Sequence, residues 1–203
     1  MKTVIENAKK GMLMVAMLVA SLSFANEGTP FFSITNNAKK ATIKLENVKQ
    51  GNILYIKDHY GVKLYEEVIQ INGLFSKGYD LTALENGGYY FELDTETQIK
   101  TIPFIVSGNS IEVKSEKTKV IFKPTLRVKG DLVYVSKLAL DNEPLKIEVY
   151  YETPNSTELV MAETIKGTQN IERVYKLTDT LKSGDYKIVF NTNGREFTKL
   201  INN

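Results

Sequence analysis

The chain offers few residues with which to do chemistry. His59 is its sole histidine and it has no cysteine, so the His/Cys sets that usually hold zinc or a redox metal cannot be assembled. His59 stands in Asp58-His59-Tyr60-Gly61, a four-residue connection ending in glycine, and no Gly-x-Ser-x-Gly element accompanies it. That setting predicts a solvated turn residue. Carboxylates pair at Glu66-Glu67 and at Asp94 with Glu96. Glycoside hydrolysis needs two carboxyls facing one cleft, whereas adjacent strand residues point to opposite faces, so Glu66 and Glu67 are expected on solvated strand faces. Asp141-Asn142-Glu143 supplies side-chain oxygens but lacks the spaced Asp/Asn loop of a calcium site. Tyr89-Tyr90 and Tyr150-Tyr151 could stack on sugars. In each pair one ring should turn to the core, which leaves Tyr90 and Tyr150 as separate surface rings. No catalytic, cofactor-binding or metal site is assigned, no cofactor is expected, and the chain is not read as an enzyme.

The most recognisable stretch is structural. Tyr79 to Leu93 returns as Tyr175 to Phe190 with one extra residue, so that Leu84 matches Leu181, Gly87 matches Gly184 and Tyr89 matches Tyr186. A tyrosine two residues after a glycine, at the start of a strand, is what a tyrosine corner requires: the ring packs across the end of a sandwich and the hydroxyl bonds to backbone upstream. The glycine is expected to take a backbone conformation closed to other residues, and the upstream leucine to cap the core.

Composition sets the compartment and the partners. Lys2, Lys9 and Lys10 precede an apolar run from Gly11 to Phe24, and Ser23-Phe24-Ala25 places small residues for cleavage after Ala25. That is the three-part form of a secretory signal peptide, residues 1–25, and the run is short for the roughly 20 apolar residues of a spanning helix. Its removal takes three Lys and one Glu and leaves 23 residues of each sign, a balance without the basic footprint of a nucleic-acid binder. An exported chain without cysteine has no disulfide framework, so each domain must be held by its own core.

Alternation and turn chemistry indicate strands nearly throughout. Ala41–Glu46, Ile53–Ile56, Val62–Ile71, Tyr89–Leu93 and Ile111–Val113 read as strands of a first unit, residues 26–122. Phe31–Ile34 reads as its first edge strand, with Asn36-Asn37 as the turn. Ile99–Val106 contains Pro103, which lacks the ladder donor, and is expected at an edge or a bulge. On the strand Tyr89–Leu93, the residues Tyr89, Phe91 and Leu93 form the core face. A second unit, residues 123–203, holds Leu132–Val135, Lys146–Tyr151 with Ile147, Val149 and Tyr151 inward, Glu158–Ile165, Asn170–Leu177 and Phe197–Ile201, with Asn193-Gly194 as a tight turn. Short strands spaced by turn residues, in two units of roughly 90 residues each, predict an all-β chain of two tandem immunoglobulin-like (fibronectin-like) antiparallel β-sandwiches.

Leu-x-x-Leu-x-x-Gly-x-Tyr followed by a strand resembles the motif of type IX secretion C-terminal sorting domains of Bacteroidota. The ending Asn193-Gly194-Arg195-Glu196-Phe197-Thr198-Lys199-Leu200-Ile201 looks like their terminal hairpin, and Gly61-Val62-Lys63-Leu64-Tyr65-Glu66-Glu67 resembles their Gly-x-x-Val strand. The mature chain as a whole is similar to small secreted Bacteroidota proteins with two such sandwiches. The closer match to the sorting pattern lies in the first, internal unit, where a C-terminal signal could not operate. The leading expectation is an exported, non-catalytic protein working through protein or cell-surface contacts in the periplasm or outside the cell, with an envelope protein as partner. A secretion substrate whose second unit is sorting-like, and a carbohydrate-binding module, are the alternatives.

Overall fold

The computed structural model describes residues 12–14, 32–177 and 185–201. The segment read as a signal peptide lies outside the described residues apart from Met12–Met14. So do Leu181 and Gly184. The chain divides into two compact units, Leu22–Ile121 and Phe122–Asn203, the second also taking in Met12–Met14. Each is an immunoglobulin-like (fibronectin-like) antiparallel sandwich.

In the first unit, strands β2 (Phe32–Asn37), β3 (Lys40–Val48) and β6 (Gly73–Asp80) form one sheet in the order β2-β3-β6. The facing sheet runs β10-β8-β7-β4-β5, with β4 (Ile53–Asp58), β5 (Lys63–Val68), β7 (Gly87–Asp94), β8 (Gln98–Ser107) and β10 (Lys119–Phe122); β9 (Ser110–Val113) also pairs with β8. The second unit repeats the plan. Strands β1 (Met12–Met14), β15 (Asn170–Leu177), β12 (Leu132–Leu138) and β11 (Thr125–Lys129) form one sheet in that order. Strands β14 (Ser156–Ile165), β13 (Leu145–Thr153), β16 (Asp185–Thr192) and β17 (Arg195–Ile201) form the other.

Period-two alternation builds both cores. Ile43, Leu45, Leu54, Phe91, Leu93 and Phe104 are buried between the sheets of the first unit, and Val133, Leu145, Ile147, Val149, Ile188 and Phe190 between those of the second. Tyr89 packs partly buried against the first core and Tyr151 against the second, on the faces the alternation predicts. Turns fall where the chain tolerates left-handed backbone: Gly61 has φ 89°, and Asn193-Gly194 has φ 54° and 67°.

Three local expectations are corrected and one strand is added. Asn36 and Asn37 belong to β2, and the chain turns at Ala38-Lys39, where Ala38 takes φ 52°. The run from Val62 to Ile71 is shorter, because β5 stops at Val68 and β6 starts at Gly73. Strand β6 escapes a reading by composition, since Gly73, Ser76 and Gly78 look like turn residues; Phe75 and Tyr79 are its buried residues, and Lys77 shares their parity at the exposed rim. Pro103 is on neither an edge nor a bulge. It lies opposite Tyr90 in an unbroken ladder, inside a strand with neighbours on both sides. The proline is accommodated because β9 pairs only with Phe104 to Ser107, and past that point the Pro103 carbonyl accepts from the Lys114 N–H at 2.8 Å. In consequence Phe104→Ala, which removes a ring that is fully buried and stacked on Phe91 at 4.5 Å, should cost about 3–5 kcal/mol. Denaturant unfolding of the first unit checks this.

Candidate functional site

In the first unit the motif does what a tyrosine corner does. Tyr89 Oη donates to the Glu85 carbonyl at 3.0 Å, its ring stacks on Phe104 at 5.5 Å, and Leu84 packs against the core. Tyr186 is buried, lies 5.5 Å from the Tyr151 ring, and has its phenol pushed up to about 12 by burial and then by Tyr151. Gly87 behaves otherwise than expected. It is absent from the residues with positive φ, and a Cβ there would meet the Tyr89 ring at an ordinary 3.8 Å. The glycine relieves no backbone strain, and a Cβ in its place would make ordinary contact with the ring.

A second repeated constellation escaped the sequence reading. Glu67 on β5 accepts from Tyr79 Oη at 2.9 Å, from Tyr65 Oη at 3.0 Å and from Lys77 Nζ at 2.8 Å. Tyr79 and Lys77 belong to β6 in the facing sheet, so one carboxylate ties the two layers at their open side. In the second unit Glu163 on β14 accepts from Tyr175 Oη, and Arg173 Nε lies 3.4 Å from it; Tyr175 and Arg173 are on β15. The spacing is the same: the tyrosine follows the carboxylate by 12 residues and the cation follows by 10. The signal was present in the sequence as Glu67-x-Ile69 and Glu163-x-Ile165 ahead of Lys77-x-Tyr79 and Arg173-x-Tyr175. Glu67 therefore does not sit on a solvated face.

Electrostatics follow from this geometry. Burial raises the phenols of Tyr79 and Tyr175 far above their ordinary value, and the bonded carboxylates raise them further. Burial also opposes ionisation of Glu67, but the combined hydrogen bonds of Lys77, Tyr79 and Tyr65 outweigh it and hold the carboxyl below its usual range. Glu66 projects to the other face and pairs with Lys63.

The outer faces carry charged and aromatic side chains in contact. Lys57 Nζ lies 2.6 Å from Glu92 Oε1, with Glu92 only 1% exposed, and 4.8 Å above the Tyr55 ring. Tyr90 is half-buried and lies opposite Lys57 and Pro103. In the second unit Leu159, Tyr150, Lys187 and Leu200 line up across all four strands, with Lys187 Nζ 5.1 Å over the Tyr150 ring and 2.9 Å from Glu152. Tyr90 and Tyr150 are thus parts of packed rows. Neither is a separate surface ring.

The remaining candidates stay apart. His59 is exposed and packs on Tyr60 at 3.7 Å, in a turn fixed by Asp58 Oδ1 accepting from the N–H groups of Tyr60 and Val62. Among the described residues no group of three or more His, Cys, Asp or Glu side chains converges. Glu143 is engaged from two sides, accepting from Asn193 Nδ2 and lying 3.9 Å from Lys137 Nζ. Exposed apolar residues concentrate on one margin of the first unit: Val62 just before β5, Leu64 and Val68 on it, Ile71 in the connection and Leu74 at the start of β6.

Removing either hydroxyl should be measurable. Tyr89→Phe removes a bond that water can reach and should cost about 0.5–1.5 kcal/mol, whereas Tyr79→Phe leaves the part-buried Glu67 short of a charge-assisted bond and should cost about 1–3 kcal/mol; both should lower the melting temperature. The acid dependence has a definite sign. A carboxyl held below its ordinary range in the folded state contributes stability that is complete above the unfolded value, about pH 4.3, and is lost as pH falls through the folded one. Melting curves of the first unit should therefore decline in that window, and Glu67→Gln should flatten the decline.

No family model matches the chain, and no curated protein matches it. Among solved structures it is similar to the chicken interferon gamma receptor alpha chain, at 9% identity and a TM-score of 0.28, over 86% of this chain and 98% of that one. It is also similar to the human OSCAR ligand-binding domain, at 10% identity and a TM-score of 0.25, over 87% of this chain and 98% of that one. Likenesses of that order carry no argument, and the fold rests on the strand order and registers described above.

Proposed function

We propose that the chain is an exported, non-catalytic binding protein that works through protein contact in the periplasm or at the cell surface. The observation that carries the reading is the apolar margin of the first unit. Among the described residues β5 is the last strand of its sheet, so it presents backbone groups at an edge, and Val62, Leu64, Val68, Ile71 and Leu74 are each more than two-fifths exposed beside it. Natural sheets blunt such edges with charge or proline, or cover them with another chain; here Lys63 and Glu66 neutralise each other and leave the apolar residues exposed. Export is supported by the basic start, apolar run and Ser23-Phe24-Ala25 at the N-terminus.

A partner seated there should respond to charge on that margin. With residues 26–203 immobilised and exposed to envelope extract, Leu64→Lys with Leu74→Lys should reduce retention of the captured protein about tenfold or more, because two such contacts at about 1 kcal/mol each suffice. The melting temperature should be unchanged. A monomer that retains nothing overturns the reading.

The sorting-like role of the second unit is a second proposal, supported by the closing hairpin of β16 and β17 over Asn193-Gly194. Deleting residues 124–203 without changing localisation would remove it.

A further inference from the structure

One buried cation stands where the fold does not ask for one. Alternation along β12 turns Val133, Val135 and Lys137 to the same face. The first two are core residues, and the Lys137 side chain is 1% exposed. The ladders fix its counterpart in the first unit. Tyr175 lies opposite Val133 and Ile171 opposite Lys137, while Tyr79 lies opposite Ala41 and Phe75 opposite Leu45. Lys137 therefore occupies the place of Leu45, which is fully buried. Exchanging a buried leucine for an ammonium group is costly, and the same fold is built without it in the first unit.

What surrounds Lys137 is chemical. Thr192 on β16 is buried on the inward face of the opposite sheet. Asn193 follows it in the turn to β17, and Glu143 comes from the β12–β13 connection. Glu143 Oε2 lies 3.9 Å from Lys137 Nζ, and Glu143 Oε1 accepts from Asn193 Nδ2. Thr192 Oγ1 donates to Asn193 Oδ1 at 3.1 Å. A lysine, a carboxylate and a carboxamide thus meet at one end of the sandwich, with the carboxylate between the other two and a donor on the carboxamide oxygen.

We propose that Lys137 and Asn193 are the two halves of an intramolecular amide cross-link, formed with Glu143 as the proton carrier. Glu143 takes a proton from the ammonium group, and the freed Nζ lone pair adds to Asn193 Cγ. The charge that develops on Oδ1 is met by the Thr192 hydroxyl. Glu143 returns its proton to Nδ2 and the nitrogen's second proton follows. The Cγ–Nδ2 bond breaks, and ammonia leaves as ammonium. Lysine ammonium plus carboxamide gives a secondary amide plus ammonium, so the step balances without oxidant, nucleotide or metal. Burial lowers the Lys137 pKa from its ordinary value, against the raising influence of Glu143 and Asp141, which favours the neutral nucleophile. The product would join the two sheets of the second unit covalently in a chain with no cysteine, acting on the unfolded state as a disulfide does.

Mass spectrometry of the purified full chain decides it. Expected are an intact mass one ammonia lighter than the sequence of the recovered chain and, after digestion, a branched peptide joining Lys137 to Asn193. Lys137→Arg and Asn193→Ala should each restore the full mass, and Glu143→Gln should leave most of the chain uncross-linked. Because the branched peptide is sought in denatured wild-type protein, the result stands even if a variant folds poorly. A full wild-type mass overturns the proposal. So does an ammonia loss that persists in Lys137→Arg and maps within Asn193-Gly194, since that is succinimide formation on the Gly194 nitrogen.

Discussion

Everything in each unit depends on keeping two sheets face to face with no disulfide between them. The buried rows of Ile43, Leu45, Phe91 and Leu93, and of Val133, Ile147, Ile188 and Phe190, supply the non-directional part of that attraction. Burial alone does not fix how the layers meet at their open side, where β5 and β6 belong to different sheets and are consecutive in sequence. Glu67 fixes it by accepting from Tyr79 and Lys77 across the gap, and Glu163 does the same with Tyr175. A half-buried carboxylate between two sheets is stabilised when its lone pairs are satisfied, and the phenol and the cation together satisfy them. The inward-facing tyrosines follow from that requirement.

The architecture was legible in the sequence because it rests on short-range signals. Alternation located most strands, and the paired Leu-x-x-Gly-x-Tyr stretches revealed the duplication. What was missed lies in contacts that alternation does not encode. β6 was hidden by Gly73, Ser76 and Gly78, although Phe75, Lys77 and Tyr79 form a period-two pattern with an exposed cation in it. Glu67 was placed outward because a charge is expected to face water, yet its parity with Tyr65 on β5 already set it inward. The same habit of reading concealed Lys137, which shares its face with Val133 and Val135. Charges on inward parity, in both units, were the information passed over.

The duplicated plan separates what the fold needs from what it merely carries. Tyr89 and Tyr186 pack against their cores at matched positions, the Glu-Tyr bridge recurs in both units, and such positions are explained by packing and hydrogen bonding alone. Residues that differ between matched positions cannot be explained that way. The row Leu159, Tyr150, Lys187 and Leu200 crosses one outer face, and the corresponding face of the first unit instead holds the Lys57–Glu92 pair beside Tyr55.

Lys137 in the place of Leu45 is the sharpest of these differences, because it is made at a site where the cost is greatest. An exposed position can change from apolar to charged within a few tenths of a kcal/mol. A core position cannot, and the charge persists there only if neighbours compensate for it. Here the compensation is incomplete as an ion pair, since 3.9 Å separates Lys137 from Glu143 while that carboxylate also accepts from Asn193. An arrangement serving stability alone would place the carboxylate in close contact with the ammonium group, or dispense with both as the first unit does. A carboxylate shared between an amine and a carboxamide is poorly designed as a salt bridge and well placed to pass a proton between them.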